Sequence, residues 1–213
     1  ISRYRIRVME KVRPIKADDQ CLDVGCSYGG FLDTLVTERG CTGHGIDLDE
    51  GAIGQSVKNE HLTFEVSGIE TLHMDSEAFE WITFWESLEH HANPTEALQR
   101  AYNLLKPGGY CCIEVPNFGA FWRVIFGRYW LPLLMPQHLF HFTKQSLTRA
   151  GQAAGFKTPV HHQYMCYPLE GVASLGIALS KWLRSPPPGS PPSWRTPFDL
   201  CILLCLAILY VLV

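Results

Sequence analysis

Two groups of residues in this chain are of types and spacing that could do chemistry. The first is CLDVGCSYGGFL, Cys21 to Leu32, where an apolar run reaching Asp23 is followed at once by Gly25, Ser27, Gly29 and Gly30. A short apolar run, a glycine cluster and a helical pattern, in that order, read as strand, tight turn and helix. Glycine tolerates positive φ and lets a ligand approach bare backbone, and a helix starting there aims free N–H groups at that ligand. The second is Asp47, which closes CTGHGID twenty-two residues after Gly25. A carboxylate ending the neighbouring strand can accept hydrogen bonds from both hydroxyls of a ribose, although Asp is also a common strand-end turn former.

The nucleotide chemistries that use such a layout differ in their glycines. A dinucleotide fingerprint G-x-G-x-x-G needs glycine where Ser27 stands, and no G-x-x-x-x-G-K-[ST] phosphate loop occurs in the chain. S-adenosylmethionine carries ribose and adenine but no phosphate, and it is the remaining candidate. The stretches LDVGCSYGG, GIDLD, WESLEHHANPTEAL and LLKPGGYCCIEVPN span Cys21 to Asn117, and PQHLFHFTKQSL with AGF extends the pattern to Phe156. On these residues the chain resembles the class I S-adenosylmethionine-dependent methyltransferases, and among them the ubiquinone and menaquinone type of O-methyltransferase.

The resemblance implies S-adenosylmethionine as cofactor and a role for each matching position. Gly25, Ser27 and Gly29, flanked by Asp23 and Cys26, would hold the cofactor's amino-acid end, and Arg5 would reach its carboxylate. Asp47 would take the ribose, with Leu48 beside it. Ile69 stands where many members carry an acid for the adenine amino group, which leaves Glu70 or a backbone carbonyl for that contact. Trp85, at the end of the predicted fourth strand, would wall the cofactor. For Arg5 the competing reading is a solvated helix face, and for Trp85 it is ordinary core. Glu86, Glu89 and His90 match an E-x-x-E-H pattern that can bind a divalent cation; the reading adopted here assigns no metal and has Glu89 and His90 ordering the loop beside the cofactor.

These residues need a scaffold, and the rest of the chain supplies one. Residues 2–12 alternate arginines with Ile6, Val8, Met9 and Val12, an amphipathic helix. Helices are predicted over 30–39, 51–59, from Asn93-Pro94 to Leu105, and over 143–154, with strands over 42–47, 61–66, 78–85, 110–115 and 157–165. The turn Lys106-Pro107-Gly108-Gly109 separates a helix from the fifth strand. The fold class expected is a Rossmann-like, doubly wound, mostly parallel α/β sheet flanked by helices, occupying residues 1–165.

Residues 116–142 interrupt it with an aromatic-rich insertion, read as a lid and substrate pocket, the alternative being a helical subdomain whose rings only pack together. Within it His138 and His141 are candidate bases for an acceptor hydroxyl, since imidazole titrates near neutrality. A helix over 171–183 follows, within a C-terminal segment 166–184. Residues 185–197 hold six prolines in thirteen and form a linker. Residues 198–213 are apolar but for Asp199, shorter than the roughly 20 residues a bilayer span needs, so either membrane contact or docking on the domain would account for them.

A net charge of -3 without a basic run offers no footprint for nucleic acid. The eight cysteines form no C-x-x-C pair or zinc spacing and read as buried thiols of a reducing compartment. The chain begins at Ile1 without methionine, as a fragment would. The expected activity is methyl transfer to a small-molecule, lipid-like or glycan acceptor, at oxygen, in the cytosol with the tail at the inner membrane face. The alternatives are a scaffold that keeps the fold without transferring a methyl, and an NAD-dependent oxidoreductase, which Ser27 and the LLKPGG turn disfavour.

Overall fold

The computed structural model describes residues 1–157 and 173–179. The chain divides into two units, residues 1–115 with 145–160, and residues 116–144 with 161–213. The strands are β1 (Gln20–Val24), β2 (Thr42–Asp47), β3 (Leu62–Val66), β4 (Phe79–Trp85) and β5 (Leu105–Glu114), and the helices α1 (Ser2–Glu10), α2 (Gly30–Arg39), α3 (Glu50–Gly54), α4 (Pro94–Leu104), α5 (Phe121–Phe126) and α6 (Lys144–Ala153).

In the first unit the five strands pair in parallel in the order β3-β2-β1-β4-β5. The direction of winding reverses between β1 and β4, and in such sheets ligands bind beyond the carboxyl ends of the strands at that reversal. Strands covered on both faces by helices need near-continuous apolar sequence, and WITF of β4 is fully buried. The core on one face joins Ile6 and Met9 of α1 to Phe31, Leu32, Leu35 and Val36 of α2, with Leu62 and Trp81 beneath. Gly43 leaves room there: a Cβ would stand 2.6 Å from Leu62 Cδ2.

The amino end of the sheet is locked by buried Asp19. Its carboxylate accepts from Arg13 Nη1 and Nη2 (2.9 and 3.0 Å), the Lys16 backbone N–H (2.9 Å) and the Trp81 indole N–H (3.0 Å), while the Arg13 guanidinium lies 4.9 Å from the Trp81 ring centre. Burial pushes the Asp19 pKa up, but these donors outweigh it and hold the group below its ordinary value. Asp49 caps α3 by accepting from the N–H groups of Gly51 and Ala52, and Asn93 caps α4 through the N–H of Glu96. Gly40, at φ 72°, ends α2.

Two expectations are corrected. The helix expected over 51–59 stops at Gly54, because the following chain turns back and Val57 N–H donates to the Tyr28 carbonyl at 3.1 Å, a tie to the glycine turn that a longer helix would break. The Lys106–Gly109 turn is absorbed into β5 as an irregularity: Phe79 pairs with Leu105 but Trp81 with Tyr110, so three extra residues loop out of one strand. Gly108, at φ 81°, makes that possible.

In the second unit, α5 and two single 3₁₀ turns, Gly127–Tyr129 and Leu131–Leu133, are tied together locally. Phe118 N–H donates to the Phe142 carbonyl (2.7 Å), and Leu131 N–H to Ser174 Oγ (2.9 Å) in the helical residues 173–179. The expected strand over 157–165 beyond Lys157, the proline linker and the apolar tail lie outside the described residues. Among the described residues no helix is long and apolar enough to cross a membrane.

Gly29 carries φ 81°, and a Cβ there would overlap the Phe64 ring. Gly29→Ala is therefore expected to cost about 3 kcal/mol in urea denaturation, from left-handed strain plus overpacking, with part recovered in the Gly29→Ala/Phe64→Leu double variant.

Candidate active site

The carboxyl edge of β1, β2 and β4 brings the glycine turn and the strand-end acid together. Gly25 and Cys26 N–H both donate to the Ile46 carbonyl (2.8 and 3.1 Å), and Ser27 N–H donates to Asp47 Oδ2 at 2.8 Å. Asp47 Oδ1 accepts from Asp49 N–H at 3.0 Å. Each carboxylate oxygen retains a second lone pair, so Asp47 is oriented by backbone on both oxygens and can still accept from two ribose hydroxyls. Ser27 adopts φ 51° to make this bond, a left-handed conformation that is costly for a residue with a Cβ and that here turns its N–H to the acid.

The glycines serve a purpose that their pattern alone does not reveal. A Cβ on Gly25 would fall 2.5 Å from Ser87 Cβ, and one on Gly29 would strike Phe64. Ser87, just past β4, donates from Oγ to the Val24 carbonyl at 2.6 Å and so sews the ends of β1 and β4 together at the reversal point. On the Cβ side the space is filled by the protein's own side chains, so close packing of the turn requires glycine at both positions. Gly30, in contrast, has open space where a Cβ would be.

Asp23 is buried, with its Oδ1 accepting from Thr83 Oγ1 at 2.6 Å. Burial raises its pKa to about 7, with the Thr83 hydrogen bond and the Arg5 charge opposing and the Asp47 charge assisting. Burial likewise pushes the Cys26 thiol far up, so it behaves as a packed apolar group beside Gly45 and not as a nucleophile.

Arg5, from α1, reaches this edge. Its Nε donates to Glu114 Oε2 at 2.7 Å, its guanidinium lies 5.0 Å from the Trp85 ring centre, and both charged side chains are largely buried. Trp85 meets Phe31 edge-on at 5.2 Å and packs against the core on that side. Its indole Nε1 is buried with no hydrogen-bond partner among the described residues. An orphaned N–H beside a guanidinium fits a carboxylate ligand, and with the acceptors of Asp47 on the other side of the turn it fits the amino-acid and ribose parts of S-adenosylmethionine.

The positions expected beside the adenine are less uniform. Leu48 is largely exposed next to Asp47, whereas Ile69 is completely buried. Glu70 Oε1 bonds His91 Nδ1 at 2.9 Å, and His91 also meets Phe84 edge-on at 5.9 Å, so the imidazole is held between the two. Glu89 is fully buried and its pKa is raised, first by burial and further by the Glu114 charge, against hydrogen bonds to its own backbone and to Glu86. Glu86, at φ 56°, bonds the Glu114 carbonyl through its N–H at 2.8 Å. Sequence reasoning did not single out Glu114, Ser87 or His91. For Glu114 there was a signal: an acid ending the fifth strand must sit on the same sheet edge as Asp47 and Trp85.

In the second unit, His138 is buried and its Nδ1 donates to the Pro132 carbonyl at 2.7 Å, since a carbonyl can only accept. His141 stacks on Phe118 with ring centres 5.2 Å apart.

The buried Asp23 makes stability pH-dependent. A carboxyl whose pKa is raised on folding contributes stability that is whole below the ordinary Asp range and lost as pH rises through about 7. Asp23→Asn, isosteric and never charged, is expected to match the wild type in thermal scans at about pH 4 and to exceed its Tm by about 5 °C or more at about pH 9.

The methyltransferase-domain family profile matches residues 2–162. The ubiquinone biosynthesis O-methyltransferase of Coxiella burnetii is 26% identical over 177 residues, covering 76% of this chain and 75% of that protein. The enzyme of the same name from Pseudomonas fluorescens is 30% identical over 140 residues, 60% of this chain and 58% of that one. Among solved structures, the phosphoethanolamine N-methyltransferase 2 of Haemonchus contortus, in complex with phosphomonomethylethanolamine and S-adenosylhomocysteine, aligns with TM-score 0.61 and 19% identity over 72% of this chain and 37% of that one. The YcgJ protein from Bacillus subtilis aligns with TM-score 0.59 and 17% identity over 71% and 68%. With the glycine turn and the ribose acid joined by a hydrogen bond on the edge of this sheet, and the family profile running over most of its length, the chain belongs to the methyltransferase-domain family and is an S-adenosylmethionine-dependent methyltransferase.

Proposed function

We propose that the methyl group goes to an oxygen of a small, apolar or lipid-like acceptor, and that the residues gathered on the carboxyl edge hold the cofactor in the roles their chemistry suggests. The observation that carries the reading is the Ser27 N–H to Asp47 bond, which makes turn and acid one wall. Asp47 takes the ribose hydroxyls, Arg5 and the Trp85 indole take the carboxylate, and the turn from Gly25 to Gly29, backed by Asp23 and Cys26, receives the amino-acid end. Leu48, Ile69 and Glu70 border the adenine. Oxygen as acceptor atom is supported by the relatives, which are ubiquinone biosynthesis O-methyltransferases.

The sulfonium of S-adenosylmethionine supplies an already activated methyl, so what remains for the chain is alignment of an acceptor lone pair and exclusion of water. For an acceptor that enters as a hydroxyl, His138 and His141 are the candidate bases. The support for His138 is its tautomer: with Nδ1 donating to Pro132, the neutral ring carries its basic lone pair on Nε2. Glycan acceptors and membrane contact through residues 198–213 belong to the same reading and rest on sequence composition alone.

Asp47→Ala is expected to weaken S-adenosylhomocysteine binding 10- to 100-fold by calorimetry, the loss of one or two charged hydrogen bonds, and unchanged affinity would defeat the layout. Arg5→Ala should lose roughly tenfold on S-adenosylhomocysteine but nothing on 5′-methylthioadenosine, which lacks the carboxylate. Mass spectrometry of extracts incubated with labelled cofactor identifies the acceptor; a product labelled on nitrogen or carbon would refute the oxygen assignment.

A further inference from the structure

Strand β4 carries Trp81 and Trp85, four residues apart, and the alternation of side chains along a strand puts both on one face of the sheet. Each ring is covered by an arginine: Arg13 lies 4.9 Å from the Trp81 ring centre and Arg5 lies 5.0 Å from that of Trp85. Each arginine also meets an acid, Asp19 in the first case and Glu114 in the second. The two triads have the same parts and differ in how the parts are joined.

The triad at Trp81 is closed. Arg13 donates from Nη1 to Asp19 Oδ2 at 2.9 Å and from Nη2 to Oδ1 at 3.0 Å, and the Trp81 indole donates to Oδ2 at 3.0 Å, so one carboxylate satisfies the arginine fork and the indole together. At Trp85 the acid sits elsewhere. Glu114, which pairs with Trp85 across β4 and β5, accepts from Arg5 Nε at 2.7 Å, a bond to the side of the guanidinium and not to its terminal fork. Among the described residues Arg5 has no ion pair beyond Glu114, and the buried Trp85 Nε1 has no hydrogen-bond partner. Taking two charges out of water is a costly way to fasten a helix to a sheet, and a pair that served only that end would close its fork on the acid, as Arg13 does.

We propose that Glu114 is a positioning residue for cofactor binding: it holds Arg5 by Nε while the Trp85 ring sets the plane of the guanidinium, and together they aim the terminal fork at the carboxylate of S-adenosylmethionine. That carboxylate takes at Trp85 the place that Asp19 takes at Trp81, bidentate on the arginine and accepting from the indole. The inference rests on the reading that Arg5 meets the cofactor carboxylate, and it adds the group that orients Arg5. With Glu114 the arginine site is neutral as a pair, which suits a ligand whose carboxylate is accompanied by an ammonium of its own.

The test is calorimetry with S-adenosylhomocysteine and with its decarboxylated analogue, which keeps the ammonium and lacks only the carboxylate. Glu114→Ala is expected to weaken S-adenosylhomocysteine about tenfold and to leave the analogue within about twofold, which also shows that the variant is folded. Glu114→Gln keeps an oxygen for Arg5 Nε and should restore most of the loss. Arg5→Ala/Glu114→Ala should bind S-adenosylhomocysteine no more weakly than Arg5→Ala, because the two residues act as one unit. A Glu114→Ala variant that loses both ligands equally would give the acid a purely structural role and overturn the proposal. So would one that binds S-adenosylhomocysteine as tightly as the wild type or tighter, the mark of an acid that competes with the ligand carboxylate for Arg5. The underlying reading fails by a separate result, an Arg5→Ala variant with unchanged S-adenosylhomocysteine affinity, and the proposal falls with it.

Discussion

The bond from Ser27 N–H to the Asp47 carboxylate is the constraint on which the site depends. It joins the turn after β1 to the end of β2, and it orders both partners at once: Ser27 takes a left-handed φ, and the Asp47 carboxylate is held against the turn. Such strain persists only where the surroundings over-determine it. Here they do so through the two N–H bonds to the Ile46 carbonyl, the Ser87 stitch to Val24 and the Phe64 ring seated against Gly29. The proposed cofactor wall is therefore pre-organised by packing from β2, β3 and the end of β4, none of which contributes to the glycine motif itself.

Two buried aspartates at opposite ends of one strand are treated differently by the fold. Asp19, at the entry to β1, receives a bidentate arginine, an indole and a backbone N–H, and its pKa is lowered. Asp23, near the exit, receives one hydroxyl and only the distant charge of Arg5, and its pKa is raised to about 7. The first is a complete network of the kind that fixes one native arrangement. The second is an incompletely compensated acid at the edge where ligands bind in this fold, and perturbed groups of that sort gather at functional sites. A cationic sulfonium held nearby would favour its charged form, so the cofactor and this carboxyl suit each other electrostatically.

Much of this could be read from the chain. The strand, turn and helix around Gly25, the second strand ending at Asp47, and the asparagine-capped helix after Pro94 are encoded by local pattern, because glycine, capping and apolar periodicity act over a few residues. The family resemblance pointed to Arg5, and its side chain lies at the carboxyl edge against Glu114 and Trp85. The helix expected past Gly54 and the free-standing Lys106–Gly109 turn were misjudged for one reason: each is decided by a partner distant in sequence, the Tyr28 carbonyl in one case and the register of β4 in the other. The partners of the proposed site residues were equally hidden. Nothing local joins Arg5 to Glu114, 109 residues away, or Glu70 to His91.

What the sequence determined by itself is the order of elements, the parallel character of the sheet and the acid and glycines that meet at one sheet edge, since these follow from short-range sterics and periodicity. Only the tertiary structure decided what stands behind each of them. Whether the Cβ side of a glycine is open or pressed against Ser87, and whether a tryptophan N–H is satisfied or orphaned, depends on distances between strands that pattern does not encode. Charge is the same: a carboxylate written identically at 19 and 23 becomes a strong acid or a weak one according to which donors the fold delivers to it and how much water it removes.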